Sequence, residues 1–164
     1  MKPKFSILIP TRERHDTLYF SILSVIEQSF PDFELIISDN LSSPSTRACV
    51  ERFNDSRIKY YRTPDRLAMS DNWEFGLGKC SGDYVFVLGD DDALIPNALN
   101  EAASIIAAEP NKIVSWNRAS YFWPSAILKP SRHQMELPFG NGRLLLKSAD
   151  ILANVYSFAQ PYFY

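Results

Sequence analysis

Short apolar runs alternate with segments of helical period along most of this chain, and that alternation confines it to a layered α/β fold around a mainly parallel sheet. Residues 5–9 (FSILI) and 84–88 (YVFVL) are almost wholly apolar, so they read as strands covered on both faces. Residues 33–38 (FELIIS), 58–61 and 112–116 supply three more strands. Pro10 closes the first run. Between the runs, Asp16 is placed to cap a helix over 17–28, with Leu18, Ile22, Val25 and Ile26 at helical spacing. Pro44 opens a second helix carrying Ala48, Val50 and Phe53. A third spans 71–80 with Trp73, Phe75 and Leu77 on its apolar side, and a fourth runs from Pro96 to 109 through Leu99, Ala102 and Ile106. After 116 the pattern weakens, with an aromatic, Pro/Gly-rich stretch over 119–143, a helix over 147–155 and an apolar ending at 157–164.

Composition narrows the class. A chain of 164 residues is one domain's worth, and 13% aromatic content argues against disorder. Seventeen Lys+Arg against nineteen Asp+Glu, a formal charge of -2, argue against nucleic acid as a partner. Cys49 and Cys80 lie far apart without zinc spacing, and read as reduced thiols. His15 and His133 have no partners at ligand spacing. The N-terminus leads directly into the first apolar run rather than into a signal-peptide core, and no run has the length of a membrane span. A cytoplasmic location is therefore expected.

In open α/β sheets, ligands bind outside the carboxyl ends of the strands. Three such ends carry polar groups: Pro10-Thr11-Arg12, Asp39-Asn40, and Asp90-Asp91-Asp92 after Gly89. Adjacent carboxylates repel, by roughly 4 kcal/mol per pair at about 4 Å and an effective dielectric near 20. A cation among them relieves this, and oxygen ligands suit Mg²⁺ or Mn²⁺ rather than zinc. The competing explanation is that the acids cap the helix that follows. Their position directly after a buried strand favours the ligand site. No Gly-x-x-x-x-Gly-Lys-Ser/Thr loop is present, and the nearest approach to a dinucleotide fingerprint, Gly76 and Gly78, falls inside a helix. A phospho-acceptor receiver would pair its acids early in the chain, which is the reverse of this order.

Four segments in this order resemble the family 2 glycosyltransferases of GT-A fold: residues 6–12, 35–40, 66–72 and 82–92, the last being the most specific. The resemblance covers residues 5–106. It implies that Pro10, Thr11 and Arg12 line a nucleotide pocket. Asp39 would accept the imide N–H of uracil, thymine or guanine, or would serve an Asx turn. Arg66 would offset diphosphate charge, or stand as an exposed loop arginine. Asn72 is expected to hold a loop or cap its helix. Many family members read Asp-x-Asp-Asp where this chain has Gly89-Asp90-Asp91-Asp92. The metal ligand is therefore Asp91 in one register and Asp92 in the other, with Asp90 near the ribose.

The implied reaction moves a sugar, with inversion, from a UDP-, dTDP- or GDP-linked donor to the hydroxyl of a glycan, lipid-linked or other acceptor, assisted by Mn²⁺ or Mg²⁺. It needs a carboxylate base. Glu136 and Asp150 are the only carboxylates after Glu109; Asp150 reads as a cap and nothing supports Glu136, so the base is expected beyond this chain. Residues 1–118 would form the nucleotide-sugar half of a single domain and 119–164 the start of the acceptor side, with the remainder, and any peripheral membrane association, missing. The aromatic stretch 116–123 suits either sugar stacking or a buried hairpin. Two other classes compete: a non-catalytic nucleotide-sugar or carbohydrate-binding module with the same fold, and a nucleotidyltransferase, whose Gly- and Lys-rich loop is absent here.

Overall fold

The computed structural model describes residues 2–108, all within one compact unit, Met1–Val114. The strand expected at 112–116, the helix at 147–155, the aromatic stretch and the candidates Glu136 and Asp150 lie outside the described residues. The elements are β1 (Phe5–Thr11), α1 (His15–Ile26), β2 (Phe33–Asp39), α2 (Pro44–Val50), β3 (Ile58–Arg62), α3 (Met69–Leu77), β4 (Tyr84–Val87) and α4 (Ala98–Ala108). Every strand pair is parallel, and the order across the sheet is β3-β2-β1-β4. The chain therefore builds outward from β1 to β2 and β3, then returns to place β4 on the other side of β1. The crevice between β1 and β4 is the topological switch point, where open α/β sheets bind their ligands.

The strand period of two divides the sheet's faces. Phe5, Ile7 and Ile9 of β1 and Phe33, Leu35 and Ile37 of β2 pack in one core with Leu18, Ile22 and Val25 of α1, Val50 of α2, and Leu99, Ala102 and Ile106 of α4. Leu8 and Ser38, on the opposite face, meet α3. That contact is close because Gly76 has no side chain: a Cβ there would lie 2.5 Å from Leu8 Cδ1 and 2.9 Å from Ser38 Cβ. Asn72 completes the contact, accepting from Ser38 Oγ at 2.9 Å and donating to the Ser38 carbonyl at 3.2 Å. The helix thus buries Asn72 and Gly76, while Trp73 and Leu77, expected on its apolar side, are exposed. Asn72 fixes α3 to β2, rather than holding a loop or capping its helix, whose N-cap is Ala68.

Several boundaries differ from the sequence expectation for identifiable reasons. β1 continues through Pro10 to Thr11. Leu8 points its carbonyl at β4, where Leu88 N–H donates at 2.9 Å; Pro10, two residues on, faces the same side after the β4 ladder has ended, so its missing N–H costs no bond. β4 is only half covered: Tyr84 and Phe86 pack on the core, whereas Val85 and Val87 are 43% and 46% exposed, because α3 covers β1 and β2 on that face. Arg14, not Asp16, occupies the N-cap of α1, and Asp16 lies in the first turn, where a carboxylate still favours the helix dipole. Finally, α4 starts at Ala98, after Asn97 at φ +66°, rather than at Pro96.

Candidate functional site

That late start separates the acidic run from the helix by residues 93–97, so the three aspartates do not cap α4. A polar stripe on α1 holds the intervening loop instead. Ser21 Oγ donates to the Asp92 carbonyl at 2.7 Å, Ser24 Oγ accepts Leu94 N–H at 3.1 Å, and Gln28 bonds the Ile95 carbonyl and Leu99 N–H. The C-terminal end of the run is thus anchored through the Asp92 backbone, and none of its carboxylates is used to cap α4.

The last rungs of the ladder carry Thr11, Asp39 and Arg62 side by side across β1, β2 and β3. Asp90 extends this row past β4: Thr11 Oγ1 donates to Asp90 Oδ2 at 2.8 Å across the switch point. Arg12 adds its backbone N–H to the same carboxylate. Burial raises the Asp90 carboxyl above its ordinary value, and Thr11, Arg14 and Arg12 reduce that rise without cancelling it. Asp91 is exposed and accepts Arg14 Nη1 at 2.5 Å, while Arg14 Nε lies 3.9 Å from Asp90. Asp91 Oδ1 and Asp92 Oδ2 both turn over Gly89, at 3.2 Å and 2.7 Å from where a Cβ would stand. The two registers considered for the metal ligand therefore meet in one place, and the glycine provides the space.

Asp39 is fully buried. Its Oδ1 accepts Ser42 N–H at 3.0 Å, which is an Asx-type turn, and its Oδ2 accepts the Tyr60 hydroxyl, with Arg62 Nε 3.8 Å away. Burial first, and then the Asp39 carboxylate, push the Tyr60 hydroxyl well above its ordinary pKa, so it stays protonated and a donor. Asn40 bonds both the amide and the carbonyl of Leu67, at 2.8 Å and 3.0 Å, and so tethers the segment carrying Arg66 to the end of β2. The Arg66 side chain is exposed and makes no hydrogen bond or ion pair among the described residues. Pro10 is half-buried, and the Arg12 side chain is exposed.

Sequence reasoning missed Glu13, Arg14, Ser42, Tyr60 and Arg62. Glu13, at φ +56°, bonds Ser43 N–H at 2.7 Å and Ser43 Oγ at 2.8 Å, and its own N–H donates to Ser42 Oγ. The loops after β1 and β2 are thereby clamped together. A signal for Arg14 was present: three adjacent acids need a counter-ion, and the loop after β1 opens on the same sheet edge. A groove between α1 and α2, lined among others by His15, Asp16, Tyr19, Cys49 and Arg52, includes neither Asp39 nor any aspartate of the run 90–92.

Among the described residues no three His, Cys, Asp or Glu side chains gather into a metal-holding group. The donor set still fits a hard cation in the manner usual for Mg²⁺, with one or two carboxylates from the protein and the other positions filled by phosphate oxygens and water.

Residues 6–160 match the family model described as glycosyl transferase family 2. The chain is 38% identical over 101 residues to a GalNAc(5)-diNAcBac-PP-undecaprenol beta-1,3-glucosyltransferase of Campylobacter jejuni, covering 60% of this chain and 33% of that protein. It is 33% identical to the Escherichia coli UDP-Glc:alpha-D-GlcNAc-diphosphoundecaprenol beta-1,3-glucosyltransferase WfgD, covering 62% of this chain and 40% of the relative. The matched region thus spans well under half of either relative. Among solved structures, S. aureus TarS superposes with a TM-score of 0.61 at 25% identity, over 64% of this chain and 20% of TarS. The parallel sheet, the carboxyl-edge site and these matches agree: the chain belongs to glycosyl transferase family 2 and has the GT-A fold.

Proposed function

We propose that the crevice between β1 and β4 binds the diphosphate of a nucleoside diphosphate sugar, and that the protein transfers this sugar to an acceptor hydroxyl. The observation that carries the reading is the convergence of Thr11, Asp90, Asp91 and Asp92 at the switch point, with Arg66 on the neighbouring loop making no ion pair among the described residues. Asp91 and Asp92 would hold Mn²⁺ or Mg²⁺ over Gly89. When bound, the cation supplies charge stabilisation to the departing diphosphate. Asp90, held by Thr11 and Arg12, faces the ribose side of the crevice. Arg66 adds a planar cation for a phosphate oxygen.

Asp39 supports base reading at one remove. Its carboxylate has about four acceptor positions, and Ser42 and Tyr60 use one on each oxygen. The imide N–H of uracil, thymine or guanine is suited to a remaining one. The relative whose name includes UDP-Glc makes uridine the first nucleotide to test. Both named relatives act on diphosphoundecaprenol-linked sugars, which makes a lipid-linked glycan in polysaccharide synthesis the acceptor class of choice. Among the described residues no helix is long and apolar enough to cross a membrane. A cytoplasmic protein meeting the membrane peripherally fits that acceptor. The family's inverting chemistry needs a carboxylate base, and among residues 2–108 the acids at this edge are already engaged in binding.

Calorimetric titration with UDP, GDP, dTDP and ADP, each with and without MnCl₂, tests the reading. Metal-dependent binding of UDP in preference to ADP is expected; no metal-dependent binding of any of the four would refute it.

A further inference from the structure

Three aspartates follow one another at the switch point, and among the described residues one guanidinium answers them. Arg14 donates through Nη1 to Asp91 Oδ2 at 2.5 Å, and its Nε lies 3.9 Å from Asp90 Oδ1. Asp92 forms no ion pair among the described residues. The guanidinium is thus a resident cation on the carboxylate whose other oxygen turns over Gly89. Its backbone is immobilised: the Arg14 carbonyl accepts Leu18 N–H at 2.9 Å and Thr17 Oγ1 at 3.2 Å, and Glu13 ties the preceding residue to Ser43. Its side chain is not, being 54% exposed. A fixed base with a free, charged end can move from one anion to another.

We infer that Arg14 is an exchangeable counter-ion of the acidic run, occupying Asp91 in the free protein and giving it up to a divalent cation only when a diphosphate arrives to receive the guanidinium. This rests on the donor-site reading above. A divalent ion held by Asp91 and Asp92 beside a guanidinium on the same carboxylate places like charges in contact distance, which weakens binding of the metal alone. A diphosphate supplies the missing anion, and arginine matches phosphate oxygens through paired N–H donors. Metal and nucleotide then bind as a unit, and Arg14 couples them. Asp90 and Asp91 hold the guanidinium's pKa above its ordinary value, so it keeps its charge throughout.

The test compares the 164-residue wild type with Arg14→Gln and Arg14→Lys. Binding of MnCl₂ alone is read from the free-Mn²⁺ electron paramagnetic resonance signal, and binding of UDP by calorimetry with and without MnCl₂. Arg14→Gln is expected to bind Mn²⁺ alone about two- to fivefold more tightly, the range an exposed ion pair commands, while the gain in UDP affinity from Mn²⁺ shrinks. Arg14→Lys, which keeps the charge, is expected to hold Mn²⁺ affinity at the wild-type level. Mn²⁺ binding by Arg14→Gln that equals or falls below the wild type overturns the inference, whatever happens with UDP. Loss of metal-dependent UDP binding in the wild type itself would instead remove the donor-site reading. The side chain is exposed, so both variants should keep the fold.

Discussion

Thr11 on the central strand donates its hydroxyl to Asp90 at 2.8 Å, joining the last residue of β1 to the loop that leaves β4. The two lie 79 positions apart in the chain, yet this bond closes the switch-point crevice and sets the geometry of the acidic run.

Thr11→Val keeps the shape and removes the donor. Asp90, with a side chain only 14% exposed, is then less well compensated, and a loss of about 1–2 kcal/mol in stability at neutral pH is expected. Because burial raises the Asp90 pKa in the fold, its ionised form is a cost, present above the folded pKa and relieved as pH falls through it toward the ordinary 3.8. The difference between variant and wild type should therefore shrink on acidification. Urea unfolding at neutral pH and near pH 4 measures it; a difference that grows in acid would contradict this.

Glu34 behaves in the opposite sense. It is buried at the start of β2, and burial alone would raise its pKa. Lys59 at 2.6 Å, Ser6 at 2.5 Å and the Ser81 amide at 2.6 Å outweigh that and bring it from 4.5 down to about 2. Its stabilisation is complete above pH 4.5 and is lost as pH falls toward 2. At about 1.4 kcal/mol per pH unit this amounts to roughly 3 kcal/mol. Glu34→Gln should lower stability by about that much at neutral pH and flatten the acid limb of a pH–stability curve. An unchanged limb would exclude the network as its source.

Tyr60→Phe removes the donor to Asp39 Oδ2 from a fully buried carboxylate. A destabilisation of about 1.5–3 kcal/mol is expected, as for hydrogen bonds to charged groups. If Asp39 reads the base, UDP affinity falls with it while Mn²⁺ binding in the absence of nucleotide does not. Equal loss of both would assign Tyr60 a purely structural part.

At Gly89 an added Cβ would meet Asp92 Oδ2 at 2.7 Å and Asp91 Oδ1 at 3.2 Å. These are the ends of exposed, flexible side chains, so Gly89→Ala should change stability by no more than about 0.5 kcal/mol. It would push the two carboxylates out of convergence, and the gain in UDP affinity from Mn²⁺ should drop about tenfold, the scale of changes that disturb ligand orientation. Full retention of that gain would show that the two oxygens do not act together.

The α/β alternation was legible because buried parallel strands such as residues 5–9 carry continuous apolar runs, and the carboxyl-edge positions of Thr11, Asp39 and Asp90 followed from strand order alone. Pairings across long sequence distances were not legible. Nothing local couples Arg14 to Asp91 or Tyr60 to Asp39, since each pair meets only once the strands are in register. The α3 face was misread for a related reason: its contact is made by Gly76, whose value is the absence of a side chain, and by polar Asn72. Hydrophobic periodicity registers neither.

The donor site is tested most directly by amide NMR of the chain titrated with UDP in MgCl₂. Shifts should concentrate at Thr11, Arg12, Asp39, Asp90 and Asp91 and depend on Mg²⁺, while Tyr19, Ala48 and Arg52 in the α1–α2 groove stay in place. Shifts confined to that groove, or none at the carboxyl edge of the sheet, would contradict it.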